Sequence, residues 1–160
     1  MEGICVMGAM LVWVLAMACG AVEQEAKDLE ILLDEVNEIA APGVPGPLCV
    51  FGEQAFPVVV GGDKLREPIV AAGRMGKGRV VAFGHTGYLN VNSLKTADTG
   101  RLMINSLRWA ADNDNPRIAV YRKPGLVTFL RGQGLEAELL RGDGWTDKLG
   151  SFDVLCVRSH

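Results

Sequence analysis

The sequence predicts an α/β fold in which a strand-rich element, a β-hairpin plus helices, precedes the start of a parallel sheet. Two observations carry this prediction. Short apolar runs bounded by glycine or proline fill residues 48–84, which is the pattern of β-strands and their turns. From residue 117 onward, a strand, a helix and two more strands follow one another, as at the opening of a parallel α/β sheet.

The composition is that of a globular protein of about one domain. Nearly half of the 160 residues are hydrophobic, 22% are charged, and the formal net charge is −3. Because the chain has no excess of positive charge and no visible basic face, we expect no nucleic-acid partner. No motif calls for a cofactor, and none is predicted.

Residues 1–21 predict an export signal. The apolar run from Ile4 to Cys19 is short for a membrane span, and the small residues at 16–18 fit a cleavage site, although Glu2 stands where a basic residue is usual. An uncleaved anchor and a buried hydrophobic helix are the alternatives, and Cys19 could instead carry a lipid. We therefore expect an exported protein, secreted, periplasmic or at the cell surface, with no stable membrane span after signal removal.

Residues 22–40 predict an amphipathic helix that docks on a core and leaves its carboxylates in water. An acidic docking surface for a basic partner is the alternative. The apolar stripe comprises Leu29, Leu32, Leu33, Val36 and Ile39, and the acidic face comprises Glu25, Asp28, Asp34, Glu35 and Glu38. The prolines of residues 41–47 then stop the helix.

The next apolar runs predict strands, and the last two of them form a hairpin around Met75–Gly78 with Lys77 in water. A phosphate-binding loop does not fit, because Gly78 and a strand follow Lys77 where such a loop needs Ser or Thr and a helix. The predicted strands cover residues 48–51, 56–60, 68–73 and 79–84.

A second helix is predicted within residues 96–113, with Asp98 or Thr99 as its N-cap and Trp109 on its buried side. The polar segment 113–117 marks an internal boundary, so the chain divides into 22–112 and 113–160. In the second part we expect strands at 117–121, 135–140 and 152–157 and a helix at 123–134.

Two cysteines, Cys49 and Cys156, remain if the signal is removed. They are too far apart in sequence for a zinc or redox motif. Both lie in apolar runs, so we interpret them as buried thiols in strands, while export would permit a disulfide.

The block from Phe56 to Leu89, followed by the helix that ends at Trp109, resembles the N-terminal region of the TRP-channel-associated factor family and of related bacterial proteins. In that family a class I glutamine-amidotransferase-like domain precedes an enhancin-type metallopeptidase domain. The likeness covers Val50 to Val157. It implies a flavodoxin-like, amidotransferase-type sheet with an added strand-rich element, within a much longer protein.

The chain also departs from that family pattern. It contains two histidines, His85 and His160, and no His-Glu-x-x-His motif to bind zinc. Cys156 lies in a predicted strand and not at the strand-to-helix elbow of an amidotransferase nucleophile. We therefore predict a non-catalytic accessory or binding module of a larger exported protein, whose partner is the rest of its own polypeptide or another protein. The alternative is a hydrolase whose catalytic residues lie beyond residue 160.

Three residues are candidates for lining a ligand site: His85, Tyr88 and His160. His85 falls where an apolar strand ends and a loop begins. The structural alternative is that His85 bonds the backbone of its own turn and that Tyr88 packs with its hydroxyl at the surface.

Overall fold

The computed structural model describes residues 22–44, 46–62, 64 and 66–158. It contains an antiparallel sheet of order β1-β2-β3 and a parallel sheet of order β5-β4-β6, which confirms the mixed α/β architecture. The helices and strands are α1 (22–32), β1 (Ala55–Val60), β2 (Pro68–Met75), β3 (Gly78–Phe83), α2 (Val91–Leu94), α3 (Thr99–Ala111), β4 (Ile118–Tyr121), α4 (Pro124–Gly132), β5 (Ala137–Leu140) and β6 (Val154–Cys156), with 3₁₀ turns at Thr86–Leu89 and Trp145–Ser151.

The predicted hairpin joins β2 to β3. Met75 pairs with Gly78, which leaves Gly76 and Lys77 as a two-residue loop. Gly76 has a φ of +59°, a conformation that glycine adopts without the steric cost of a Cβ, and Lys77 is exposed. The glycines and the lysine of this stretch therefore make a turn.

Helix α3 contributes to both cores of the domain. Its residues Met103, Ile104 and Leu107 pack with α4 and the parallel sheet. Its residues Leu102 and Trp109 pack with α1 and the antiparallel sheet. Because α3 contacts both β3 and β6, it brings an edge strand of each sheet to its own surface.

The first helix is shorter than predicted. The expected helix covers 22–40, but α1 ends at Leu32 and Glu35 adopts a left-handed φ of 54°. The Asn105 side chain, from α3, donates to the carbonyl oxygens of Leu32 at 3.3 Å and Asp34 at 2.8 Å. These bonds satisfy carbonyl groups that the end of a helix leaves free.

The start of α3 holds the segment that follows α1. Asp98 is the N-cap residue, as predicted, but its carboxylate accepts hydrogen bonds from the backbone N–H groups of Asn37 at 2.8 Å and Glu38 at 3.1 Å. The Thr99 hydroxyl accepts one from Ala40 N–H at 2.7 Å. The two predicted cap residues therefore anchor a distant loop.

The predicted strand at 48–51 does not form. The Leu48 N–H donates to the Pro68 carbonyl oxygen at the start of β2, at 2.8 Å, but β2 pairs with β1 on one edge and β3 on the other, and no further strand pairing of residues 48–51 forms in the described part of the chain. Phe51 is 80% exposed. Cys49 is exposed outside any strand, which corrects its predicted burial, whereas Cys156 lies in β6 as expected, and both thiols are free.

Candidate functional site

His85 organises its own turn. Its Nδ1 accepts a hydrogen bond from the Gly87 N–H at 3.0 Å, so the ring proton of the neutral form lies on Nε2. A Cβ added at Gly87 would lie 2.6 Å from that Nδ1, which explains the glycine. Among the described residues, no carboxylate or thiol forms a hydrogen bond with this ring. The contacts are those of the structural alternative, in which His85 bonds the backbone.

Tyr88 differs from the expectation that its hydroxyl reaches the surface. Its side chain is fully buried, with its ring 5.6 Å from that of Phe83, and its hydroxyl has no hydrogen-bond partner among the described residues. Burial raises the pKa of the Tyr88 hydroxyl. The position follows from its place in a 3₁₀ turn that faces the core. The third candidate, His160, lies outside the described residues.

A cleft of about 370 Å³ lies between β3, α3 and β6. Its walls include Val80 and Phe83 from one sheet and Leu155 from the other, and its floor includes Met103 and Leu107 of α3. This cleft was not predictable from local sequence patterns, because two strands distant in sequence and one helix must come together to form it. We refer to it as the inter-sheet cleft.

Cys156 lines the inter-sheet cleft from β6, where it pairs with Val120 of the central strand. The residue is half-buried, and desolvation raises the pKa of its thiol to about 12. A reactive cysteine is instead one whose thiolate is stabilised by a cation, a histidine or a helix N-terminus. This thiol is protonated at neutral pH.

Ser106 also lines the inter-sheet cleft. It is 3% exposed, and its hydroxyl has no hydrogen-bond partner among the described residues. A buried hydroxyl without a partner is costly, so this group marks a place where a polar atom of another molecule or segment would be stabilised.

Asp28 was predicted on the solvated face of α1, but its carboxylate is buried, so that prediction is wrong. Asp28 is 1% exposed, and Arg74 binds both of its oxygens, at 2.6 and 2.7 Å. The indole Nε1 of Trp109 donates to it at 2.9 Å and Gln24 at 3.1 Å. A signal was present in the sequence, since Asp28 precedes the buried Leu32 by one helical turn and so shares its face.

Two arginines enclose the Trp109 ring. Arg74 and Arg79 face each other across β2 and β3, and each guanidinium carbon lies 5.5 Å from the ring centre. Arg79 also donates to the Trp109 carbonyl oxygen at 2.7 Å and pairs with Asp112 at 2.7 Å. The cluster of Asp28, Arg74, Arg79 and Trp109, here called the arginine–tryptophan cluster, therefore ties α1 and the hairpin to α3.

The electrostatics of Asp28 follow from these contacts. Burial by itself raises the pKa of this carboxyl, but the hydrogen bonds from Arg74, Trp109 and Gln24 outweigh it and hold the pKa below its usual value. Because its oxygens are occupied by protein donors, the cluster is a structural element. In the described part of the chain, no group of three His, Cys, Asp or Glu side chains is placed to hold a metal ion.

Comparison with known proteins identifies relatives of this domain. Residues 2–143 match the family model for the TRPM8, N-terminal domain. TRPM8 channel-associated factor 2 of Bos taurus is 35% identical over 128 residues, which cover 78% of this chain and 13% of that protein. The Xenopus laevis TRPM8 channel-associated factor homolog is 33% identical over 127 residues, or 77% of this chain and 12% of that protein. The chain thus spans about an eighth of the length of these relatives.

Two solved structures share the fold at low sequence identity. IMPa from Pseudomonas aeruginosa in complex with an O-glycopeptide has a TM-score of 0.71 at 12% identity, over 90% of this chain and 17% of that one. The IMPa metallopeptidase in complex with T-antigen has a TM-score of 0.63 at 12% identity, over 79% and 15% of the two chains.

The prediction of an exported or surface protein is wrong. The family match begins at residue 2 and runs through the segment assigned to a signal, and the relatives are named as factors associated with a channel. Residues 1–21, including Cys19, lie outside the described residues. Within the ranges that the structure describes, no helix has both the length and the apolar character to cross a membrane.

Proposed function

Because the chain belongs to the family of the TRPM8, N-terminal domain, we propose that it is a non-catalytic, amidotransferase-like accessory or binding module of a longer protein. The relatives are about eight times as long as the part that matches, which supports a role within a longer polypeptide. Its partner is then either the rest of that polypeptide or another protein. The channel in the relatives' name is an example of another protein. The change from antiparallel to parallel pairing supports a boundary between 22–112 and 113–160.

The observation that carries the non-catalytic assignment is the position of Cys156. An amidotransferase nucleophile needs an exposed thiol on a strained elbow, with a base in hydrogen-bond reach. Cys156 is the last residue of β6, its thiol is desolvated, and the His85 Nδ1 is occupied by Gly87. The parallel β5-β4-β6 order supports the likeness in fold to such domains, and the position of the thiol supports the absence of their chemistry.

We expect iodoacetamide to alkylate Cys156 at least about tenfold more slowly than the exposed Cys49 at pH 7, because the protonated thiol is a poor nucleophile. Mass spectrometry of the two cysteine-containing peptides measures both rates in one sample. In urea the difference should disappear, which controls for the local sequence. Alkylation of Cys156 faster than that of Cys49 would show an activated thiol and contradict the proposal.

The alternative is that the longer protein is a hydrolase whose catalytic residues lie beyond residue 160. The fold similarity to part of a metallopeptidase favours this possibility. The longer sequence discriminates the two functions: a His-Glu-x-x-His helix supports a peptidase, and a cysteine at a strand-turn-helix elbow with a later histidine supports an amidotransferase.

A further inference from the structure

Strand edges, and not strand faces, form two walls of the inter-sheet cleft. Successive residues of a strand point to opposite faces, so one face contributes only alternate residues. Yet the cleft is lined by the consecutive residues Arg79, Val80 and Val81 of the hairpin and by all of residues 153–157. Such consecutive lining is the mark of a backbone edge.

Both of these edges are unpaired in the described part of the chain. There β3 pairs with β2 alone, and β6 pairs with β4 alone. An unpaired edge presents a row of N–H and C=O groups that another strand can bind, and proteins usually cover it. Val80 and Val157, which line this cleft, are 56% and 54% exposed. The surroundings of the cleft are therefore apolar and rich in free backbone groups.

The floor of the inter-sheet cleft adds a single polar group to an apolar surface. Met103, Leu107 and Ala110 of α3 provide the apolar part, and among them lies the Ser106 hydroxyl, which has no hydrogen-bond partner in the described part of the chain. A peptide in strand conformation offers what this floor lacks, namely apolar side chains on one face and carbonyl or amide groups for the hydroxyl.

We propose that the inter-sheet cleft is the docking site for an extended segment of the same longer polypeptide, which pairs with the free edge of β6 and lays its apolar side chains on α3. This rests on the proposed role as a module of a longer protein. Relatives that carry about seven-eighths of their length outside the matched region supply ample chain for it. With its three residues, β6 is also short for an edge strand that has one neighbour.

Hydrogen exchange of the 160-residue chain and of the natural longer protein tests this docking. We expect the outward backbone amides of residues 154–157, at the edge of β6, to exchange at least tenfold more slowly in the longer protein. The amides of β2, which pairs on both edges, serve as the control and should not change. Equal exchange in the two proteins would overturn the proposal. Protection that instead grows with the concentration of the 160-residue chain would assign the cleft to a second copy and also overturn it.

A matched pair of variants separates docking from general stability. Val80→Lys places a charge at the cleft, while Val22→Lys places one on α1 at a position of 68% exposure outside the cleft lining. In the longer protein, Val80→Lys should abolish the added protection of residues 154–157 and Val22→Lys should preserve it. Retained protection in Val80→Lys would contradict the proposal. Catalytic turnover would refute the accessory function but would leave this exchange result standing, so the two failures are distinguishable.

Discussion

Replacing Asp28 with asparagine should lower the free energy of unfolding by about 3 kcal/mol, the typical cost of breaking a buried charge pair. The substitution keeps the shape of the side chain but removes its charge and one acceptor, so Arg74 and the Trp109 indole lose part of their partner. Urea unfolding followed by tryptophan fluorescence measures the change. Asp34→Asn is the matched control: its carboxylate is 67% exposed, and we expect a change within about 0.5 kcal/mol.

The same substitution predicts a pH dependence. The pKa of Asp28 is lowered in the folded protein, so its contribution to stability is fully present above the unfolded-state pKa and is lost as pH falls through the folded-state value. The difference in unfolding free energy between wild type and Asp28→Asn should therefore narrow as the pH falls below about 3.8. A difference that widens in acid would contradict the ion pair as its source.

Replacing Trp109 with alanine should lower the free energy of unfolding by about 4 kcal/mol, within the range for large aromatic side chains in cores. Trp109 is 2% exposed, its ring meets Phe56 edge to face at 6.2 Å, and its indole N–H is a donor to Asp28. Denaturant unfolding followed by circular dichroism gives the value. Trp145→Ala removes a half-buried ring beside Tyr121 and should cost about 1 kcal/mol. Equal decreases in unfolding free energy for Trp109→Ala and Trp145→Ala would contradict the greater contribution of Trp109 to stability.

The two substitutions should also be coupled, because both act on the arginine–tryptophan cluster. In Trp109→Ala, Asp28 has already lost one hydrogen-bond donor. The decrease in unfolding free energy of the double variant should therefore be smaller, by at least about 1 kcal/mol, than the sum of the decreases in the two single variants. Additive costs would mean that the carboxylate and the indole stabilise the fold independently.

The chain order and type of the main elements were predictable, because hydrophobic periodicity and glycine or proline punctuation are local signals. The hairpin at Gly76 and the helix that contains Trp109 follow from such signals. The shorter α1 does not, because its end is satisfied by Asn105, some seventy positions away in the chain. Residues 48–51 have strand-like composition, but only Leu48 bonds to β2, through the Pro68 carbonyl oxygen, and the tertiary arrangement that limits this pairing is not a local signal.

The candidate site was less predictable than the fold. A buried tryptophan needs an acceptor for its N–H, and Asp28 shares a helical face with Leu32. The burial of Asp28 could therefore have been predicted from the sequence. Its pairing with Arg74 could not, because that contact joins a helix to a strand. The inter-sheet cleft, with Ser106 in its floor, also depends on packing between distant segments.

The most direct measurement of the non-catalytic role is a turnover assay of the 160-residue chain on glutamine, simple amides and peptides. We expect no turnover above the buffer rate for the wild-type chain, Cys156→Ala or His85→Ala, because the thiol is protonated and the imidazole Nδ1 is committed to Gly87. Robust turnover by the wild-type chain that is lost in Cys156→Ala or His85→Ala would contradict the accessory role and establish an enzyme.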